Sequence, residues 1–244
     1  GDQALGANTT ADNNTAVGTN ALLANTTGTS NVALGTSALG SNTTASNNTA
    51  VGTNALTANT TGEENTATGS RSQLATTTGT YNTSNGSGSL YANTTGSSNV
   101  AIGLNALVAN TTASNNTAVG TFALTANTTG TQNVAVGSLA GDAMTTGAQN
   151  TALGHGSLGA NTTGVENVAL GTGAGERITT GDDNICIGFV AGSHNVYLAT
   201  GTGNTIIGSY ADVTDADVSY ANVIGFNVSG GGGYTTIGKA TNDI

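Results

Sequence analysis

The fold is decided by a stretch of 17 residues, NTAVGTNALLANTTGTS, which runs from Asn14 to Ser30. Its opening pattern, Asn-(Thr/Val)-Ala-aliphatic-Gly, returns along the chain at intervals of 17 with few substitutions. The asparagine recurs without a slip at Asn14, Asn31, Asn48, Asn65, Asn82, Asn99, Asn116, Asn133, Asn150, Asn167 and Asn184, and a glycine follows each of them four residues later. Eleven registered copies identify a repeat protein.

One unit of the repeat predicts two strands and two turns. Thr15–Val17 alternates and is β-prone, which is typical of a strand, and Gly18 predicts a bend. The Ala21-Leu22 pair predicts a second short strand, and the run Asn25–Gly28 has turn chemistry. Glycine, asparagine and threonine disfavour the helices of other repeat arrays. The sequence therefore predicts an all-β fold, a parallel β-solenoid (β-roll) of 17-residue coils.

Stacked coils place each residue about 4.8 Å above its counterpart, so the sequence predicts ladders of identical side chains. The asparagine column is expected to hydrogen-bond along the stack. The aliphatic residue of the pattern is expected to fill the interior, in a column formed by Val17, Leu34, Val51, Ile102, Val119, Val136, Leu153, Leu170 and Ile187. Thr68 and Asn85 interrupt this column and predict two weak coils, or alternatively a binding patch near Tyr81 and Tyr91.

The apolar burial available to one coil is small beside the conformational entropy of ordering its residues. Alanines at the third and eighth repeat positions are expected to let neighbouring chains approach closely; they are Ala16, Ala33, Ala50, Ala101 and Ala118, and Ala21, Ala38, Ala55 and Ala106. We therefore expect self-association, for which a homotrimer is the natural closed form.

Composition excludes several functions. The formal net charge is −10, with Arg71, Arg177 and Lys239 as the strong cations, so nucleic-acid binding is not expected. No stretch of about 18 apolar residues predicts membrane insertion. No catalytic triad, phosphate loop or zinc spacing is present, so neither an enzyme nor a cofactor is expected. Gly1–Gly6 lacks a signal-peptide pattern and opens partway through a repeat, which predicts a processed chain. Cys186 is expected to be a small buried residue.

The register changes after Gly188. Asn204 follows Asn184 by 20 residues, and Asn222 follows by 18, so we expect a regular solenoid over residues 1–203 and an irregular C-terminal cap or tip over 204–244. Six of the nine aromatic residues lie after Gly188. Two interpretations stay open: large side chains that close the end of the solenoid, or a tip that binds a receptor or glycan. The candidate binding residues are Tyr197, Tyr210, Tyr220 and Tyr234.

Two further groups of residues are weaker candidates. Asp212, Asp215 and Asp217 could ligate Ca²⁺ through carboxylate oxygens, or could be solvated turn charges. The Asn-Thr-Thr column matches the N-glycosylation pattern, with a turn ladder as the alternative; its candidates are Asn25, Asn42, Asn59, Asn93, Asn110, Asn127 and Asn161. His155 and His194 lie far apart in the sequence, with no carboxylate pair in repeat register.

The motifs Asn31–Gly35 and Asn99–Gly103 resemble the head repeat of YadA-like trimeric autotransporter adhesins. That resemblance implies a trimeric, left-handed β-roll. The longer unit, with Gly137–Gly147, is similar to repeats in phage tail fibres. The end of the chain, Tyr234–Ile244, is similar to the segment that precedes a self-cleaving intramolecular chaperone in such fibres, which implies a maturation cut near Ile244.

Together these patterns predict a structural and adhesive fibre segment without enzymatic activity. The expected setting is extracellular, on a phage tail fibre or a bacterial surface, with a host surface glycan or receptor as partner. A subunit of an end-to-end polymerised extracellular filament is the alternative. An ice-binding solenoid is a third interpretation, because stacked threonine pairs can form a flat array.

Overall fold

The chain is a parallel β-solenoid. The computed structural model describes residues 1–239 and shows an all-β fold of about 13 turns built from 17-residue coils. Each regular coil carries one strand of three residues, and successive strands pair in parallel with equivalent positions side by side. The predicted fold class is confirmed. The homotrimer and the maturation cut near Ile244 stay predictions, and Ile244 lies outside the described residues.

The chain divides into two compact units, of which the first spans Gly1–Thr121. Its strands follow one another in the sheet in chain order, each hydrogen-bonded to the next. They are β1 (Thr15–Val17), β2 (Val32–Leu34), β3 (Thr49–Val51), β4 (Thr66–Thr68), β5 (Thr83–Asn85), β6 (Val100–Ile102) and β7 (Thr117–Val119).

The second unit begins at Phe122. Its main sheet runs β8 (Val134–Val136), β9 (Thr151–Leu153), β10 (Val168–Leu170), β11 (Ile185–Ile187), β12 (Thr205–Ile207), β14 (Asn222–Phe226) and β16 (Thr235–Lys239). A small second sheet pairs β13 (Asp212–Val213) with β15 (Ser229–Gly230). The parallel sheet thus continues through β12, β14 and β16, past the predicted boundary at residue 204.

The Ala-Leu pair forms a turn, and the predicted second strand is wrong. Leu22, Leu39 and Leu56 have φ angles of 51°, 51° and 50°, in the left-handed region that non-glycine residues rarely adopt. The turn still bonds along the stack, because the Leu22 N–H donates to the Ala38 carbonyl at 3.0 Å. Its leucine side chains are fully buried. Coil-to-coil hydrogen bonding therefore continues without extended backbone.

The aliphatic column that was predicted to fill the interior lies on the outer face of the sheet instead. Val17, Leu34 and Ile102 are 54%, 47% and 40% exposed, and the rest of the column is half-buried or exposed. Successive residues of a strand face opposite sides, so the middle alanine and its aliphatic neighbour cannot both point inward. In this protein the alanine takes the inner side.

Alanine and leucine build the interior. The alanines predicted to face neighbouring chains are fully buried in the core, and that prediction is wrong for Ala33, Ala50, Ala101, Ala118, Ala21, Ala38, Ala55 and Ala106. Leucines at the ninth repeat position pack with the alanines in one cluster. A coil with a single three-residue strand encloses a narrow space, which methyl groups and one leucine per coil fill.

The asparagine column forms the predicted ladder. The Asn48 N–H donates to Asn31 Oδ1 at 3.0 Å, and Asn48 Nδ2 donates to the Gly62 carbonyl at 2.9 Å. The Asn65 N–H in turn donates to Asn48 Oδ1 at 2.9 Å. The Asn48 side chain is fully buried. Each ladder asparagine therefore ties its own coil to the coil before and the coil after.

The ladder shows where the register changes. Asn204 donates its N–H to Asn184 Oδ1 at 3.1 Å, which places the three additional residues between them. Ala221, rather than Asn222, takes the next ladder position, since its N–H donates to Asn204 Oδ1 at 2.9 Å. The spacing at that step is 17 residues, and the interval of 18 read from the sequence is wrong by one residue.

Polar residues enter the core in the coils that begin at Asn65 and Asn82, although not at the predicted places. Thr68 and Asn85 lie on the outer side of their strands. The interior change is at the leucine position, where fully buried Gln73 donates through Nε2 to Ser84 Oγ at 2.9 Å. Gln73 Oε1 is buried without a hydrogen-bond partner, and the hydroxyls of Ser72 and Ser84 are 2.5 Å apart.

We expect the triple variant Ser72→Ala/Gln73→Leu/Ser84→Ala to be about 2 kcal/mol more stable than the natural chain. It restores the alanine–leucine interior and removes an unsatisfied buried acceptor. Urea denaturation followed by circular dichroism measures the change. Gln73→Leu alone should gain less, because it removes one partner of the Ser84 hydroxyl. A triple variant that unfolds at lower urea than the natural chain would contradict this assignment.

Candidate functional site

Aliphatic side chains occupy the fourth repeat position of most coils, and the second position of some, on the outer face of the sheet; we call this surface the outer stripe. In the first unit its most exposed members are Val17, Val32, Leu34 and Ile102. The strands pair with equivalent positions side by side, so these side chains stand in columns from coil to coil. Thr68 and Asn85 interrupt the fourth-position column with polar side chains. In the second-position column, Val32 stands between Thr15 and Thr49.

The second unit carries the same kind of surface. Its most exposed members are Val134, Leu153, Ile185, Ile224 and Ile237, whose exposed fractions run from 37% to 57%. At the fourth position the pairing continues in register from Ile187 to Ile207, from Ile207 to Ile224 and from Ile224 to Ile237. Contiguous exposed apolar surface of this kind marks an interaction site more often than an inert surface.

A second surface, which we call the turn groove, opens in the second unit beside the turns that follow the strands. It has a volume of about 440 Å³. The residues that shape it include Asp142, His155, Gly156, Gly159, Glu176 and Phe189. Glycine makes the space, because a Cβ atom at Gly156 would meet no atom within 4 Å. From Asn14 onward, the equivalent positions in the first unit are Asn20, Ser37, Asn54, Arg71, Gly88 and Asn105, so five of the six carry a side chain.

Two carboxylates flank the middle of the turn groove. A Cβ atom at Gly159 would lie 3.4 Å from Asp142 Oδ1 and 3.7 Å from Glu176 Cγ. Burial raises the pKa of the Asp142 carboxyl, the charge of Glu176 adds to the rise, and nearby backbone N–H groups and His155 oppose it. The charges of Glu176 and His155 therefore both act on the Asp142 carboxyl.

Phe189 lines the groove and joins it to an aromatic cluster. The ring centroids of Phe189 and Tyr210 are 5.3 Å apart, and those of Tyr210 and Phe226 are 5.7 Å apart, both in edge-to-face geometry. His194 adds a further edge contact to Tyr210 at 4.7 Å. Edge-to-face packing is a favoured arrangement of aromatic pairs. Phe189 and Phe226 remain about half exposed, so the cluster presents apolar surface beside the groove.

The structure brings two of the four predicted binding tyrosines to this region. Tyr210 is the centre of the aromatic cluster. Tyr197 lies beneath the side chain of Arg177, whose guanidinium carbon is 4.5 Å from the ring centroid, and Arg177 lines the groove. Tyr220 and Tyr234 are 68% and 72% exposed, and the Tyr220 ring covers Gly203.

The acidic candidates for Ca²⁺ have different surroundings. Asp212 is fully buried, and its Oδ2 accepts the N–H groups of His194, Asn195 and Val196 at 3.1, 2.6 and 2.9 Å. Burial raises the pKa of the Asp212 carboxyl, and these hydrogen bonds oppose the rise. Asp212 thus holds the inserted residues in place and is not a solvated turn charge.

Asp215 and Asp217, the other two acidic candidates, are exposed. Across residues 1–239 the structure contains no group of three or more histidine, cysteine or acidic side chains that could hold a metal ion. The three aspartates therefore do not converge on one point.

The candidate glycosylation residues form a second buried ladder. Asn42 Nδ2 donates to Asn25 Oδ1 at 2.9 Å and to the Ala45 carbonyl at 3.0 Å. All seven candidates are fully buried: Asn25, Asn42, Asn59, Asn93, Asn110, Asn127 and Asn161. In the folded coil the amide nitrogen that a glycan would need is enclosed, which fits the turn-ladder interpretation.

Cys186 belongs to the core. It replaces the buried alanine of its strand and is fully buried as a free thiol, as the sequence predicted. Burial raises the pKa of this thiol to about 12, so the reactive thiolate is not populated at neutral pH.

Sequence reasoning missed the turn groove, although its signal is present in the aligned repeat. At the seventh repeat position most coils carry a side chain, and two successive coils have glycine instead, Gly156 and Gly173. At the tenth position, acids appear at Asp142 and Glu176, with Gly159 between them. Aligning the repeats position by position reveals these departures. The sequence does not show that the seventh and tenth positions line the same groove, because the path of the turn decides which positions come together.

The structure and known proteins give few external clues to function. Between residues 1 and 239, no helix is long and apolar enough to cross a bilayer. Comparison with protein-family models, with curated proteins and with solved structures found no match to this chain. The outer stripe and the turn groove are therefore interpreted from the chemistry of their own residues.

Proposed function

We propose that the chain is a structural and adhesive segment of an extracellular fibre, in which identical chains associate through the outer stripe. The observation that carries this proposal is the alignment of exposed aliphatic side chains, such as Leu34 and Ile102, on an in-register parallel sheet. Soluble monomers rarely expose contiguous apolar patches above a few hundred Å². Association removes this surface from water, which is favourable in proportion to its area.

A homotrimer is the assembly we favour. Closed symmetric assemblies leave no unsatisfied copy of an interface, and three sheets around a threefold axis can cover one another's stripes. The alanine columns do not form this interface, because all of the predicted alanines except Ala16 are fully buried in the core. The resemblance of Asn31–Gly35 and Asn99–Gly103 to trimeric adhesin repeats supports the same assembly.

The adhesive part of the proposal places the fibre on a bacterial surface or a phage tail, with a host surface glycan or receptor as its partner. A non-enzymatic role is supported by the use of the repeated polar side chains, since the two asparagine columns are committed to ladders within the fold. The ice-binding interpretation loses support because one threonine of each pair is also committed. Thr26, Thr43 and Thr60 donate their hydroxyls to carbonyls of the next coil at 3.1, 3.2 and 3.1 Å.

Light scattering coupled to size-exclusion chromatography tests the assembly. We expect a mass three times the chain mass of 23.5 kDa. Leu34→Glu/Ile102→Glu should reduce it to the mass of one chain, because four charged oxygens per chain would be buried in the interface. Far-UV circular dichroism separates dissociation from unfolding.

Thr27→Glu is the control, since it adds a carboxylate at an exposed turn position outside the outer stripe. It should leave the mass unchanged. A natural chain that runs as a monomer would overturn the proposal, and a mass of two chains would replace the trimer with a dimer. Particles of indefinite length in negative stain would favour the end-to-end filament.

A further inference from the structure

We propose that the turn groove is a binding site for a neutral saccharide, held by the carboxylates of Asp142 and Glu176 and by the ring of Phe189. This inference rests on the adhesive role proposed above and names the chemistry of its ligand. The groove volume of about 440 Å³ falls in the range of small-ligand sites, roughly 300–1,000 Å³.

Glycine at position 156 opens the groove. Gly156 has a φ of 64°, close to the 59° and 58° of Asn20 and Asn54 at the same repeat position. The left-handed backbone there accepts asparagine in other coils, so the turn itself does not require glycine. A Cβ at Gly156 would also meet no neighbouring atom. What glycine provides at this position is open space.

The open space exposes hydrogen-bond acceptors. Asp142 Oδ1 lies 3.4 Å from the Cβ position of Gly159, and Glu176 Oε2 lies 3.4 Å from that of Gly173. Ionised carboxylates only accept hydrogen bonds, and neighbouring sugar hydroxyls supply the matching donors. The exposed ring of Phe189 at the border offers apolar surface to the C–H face of a sugar ring.

The charge of the groove favours a neutral ligand. The groove contains two carboxylates, and the Arg177 guanidinium is stacked on Tyr197. Acidic sugars and phosphates would meet net repulsion from Asp142 and Glu176. A metal site needs more ligands than these two carboxylates, and no cluster of three or more ligating side chains occurs within residues 1–239. A neutral ligand rich in hydroxyls fits the groove better than an anion or a divalent cation.

Saturation-transfer difference NMR tests the site with the full chain and four probes, the methyl glycosides of glucose, galactose, mannose and N-acetylglucosamine. We expect at least one probe to give a saturating signal. Gly156→Asn restores the residue of other coils and should abolish that signal by filling the groove. Glu176→Gln should raise the Kd at least tenfold. Glu166→Gln removes an exposed acid of the same unit outside the groove and should change nothing.

Three results would overturn the site: no signal from any probe, equal signals from the natural chain and Gly156→Asn, or titration only with CaCl₂ or an oligolysine peptide in place of the sugars. The mass measurement on the same samples separates the two proposals. A monomer that binds a probe in the groove would remove the self-association proposal and keep the saccharide site. A trimer that binds none of the probes would keep the self-association proposal and remove the saccharide site.

Discussion

Gly35→Ala is expected to lower the free energy of unfolding of the first unit by on the order of 3 kcal/mol or more. Gly35 has a φ of 138°, in a region that L side chains rarely adopt. A Cβ there would lie 2.5 Å from the carbonyl oxygen and 2.6 Å from the carbonyl carbon of Gly52 in the next coil. Those atoms are backbone and cannot rotate away, so relief requires separating β2 from β3 next to their paired residues.

The matched control is Gly40→Ala, five residues later in the same coil. Its new Cβ would meet the Ser37 carbonyl oxygen at 3.3 Å and the Asn20 carbonyl oxygen at 3.6 Å, and Gly40 does not have a left-handed φ. Thr57 occupies the equivalent position of the next coil. Urea denaturation of both variants should therefore show a large loss for Gly35→Ala and little change for Gly40→Ala. Equal losses would mean that the glycine column does not set the spacing of the coils.

The repeat allowed the coil length and the asparagine ladder to be predicted, for a physical reason. A stack of coils at a fixed spacing places residue n beside residue n + 17, so any side chain that bonds to its own copy must recur with the coil period. Asn31 and Asn48 do so in the structure. The same rule predicted parallel, in-register strands, and β1 and β2 pair in that way.

Which residues face inward could not be read from hydrophobicity. Ala33 and Leu34 are adjacent in β2, and the larger side chain is the exposed one. A three-residue strand has too few alternations to show its inner face, and burial normally favours the bulkier residue. The deciding residue is Leu39, whose left-handed turn carries it into the core. The Leu39 side chain thus fills the interior space that the repeat pattern predicts for Leu34.

The candidate site was harder to predict because absent side chains create it. Asp142 and Glu176 are separated by two coils, and they become neighbours only because Gly159 puts nothing between them. Asp212 illustrates a different obstacle. Its carboxylate accepts the N–H groups of His194 and Asn195, and the path of the inserted residues decides that contact. A repeat pattern carries no information about residues that interrupt it.

The second large effect is expected for Asn48→Ala, which should lower the free energy of unfolding of the first unit by on the order of 3–5 kcal/mol. The change removes the acceptor of the Asn65 N–H and the donor to the Gly62 carbonyl. Leaving a buried backbone group unsatisfied costs roughly 1–3 kcal/mol, and the lost amide also leaves a cavity. Amide hydrogen exchange supplies a local readout, since the Asn65 N–H should lose protection more than amides several coils away.

Asn85→Ala is the control, because Asn85 is an exposed asparagine on the outer side of β5. It should change the stability by less than about 0.5 kcal/mol. The chain supplies an internal comparison as well. Ala221 stands at a ladder position in the second unit, where its N–H still donates to Asn204 Oδ1. An alanine can thus still donate its N–H to the coil before it. What it cannot provide is the side-chain acceptor for the N–H of the coil after it. If Asn48→Ala left the exchange of the Asn65 amide unchanged, the ladder would be a consequence of coil stacking and not a cause of it.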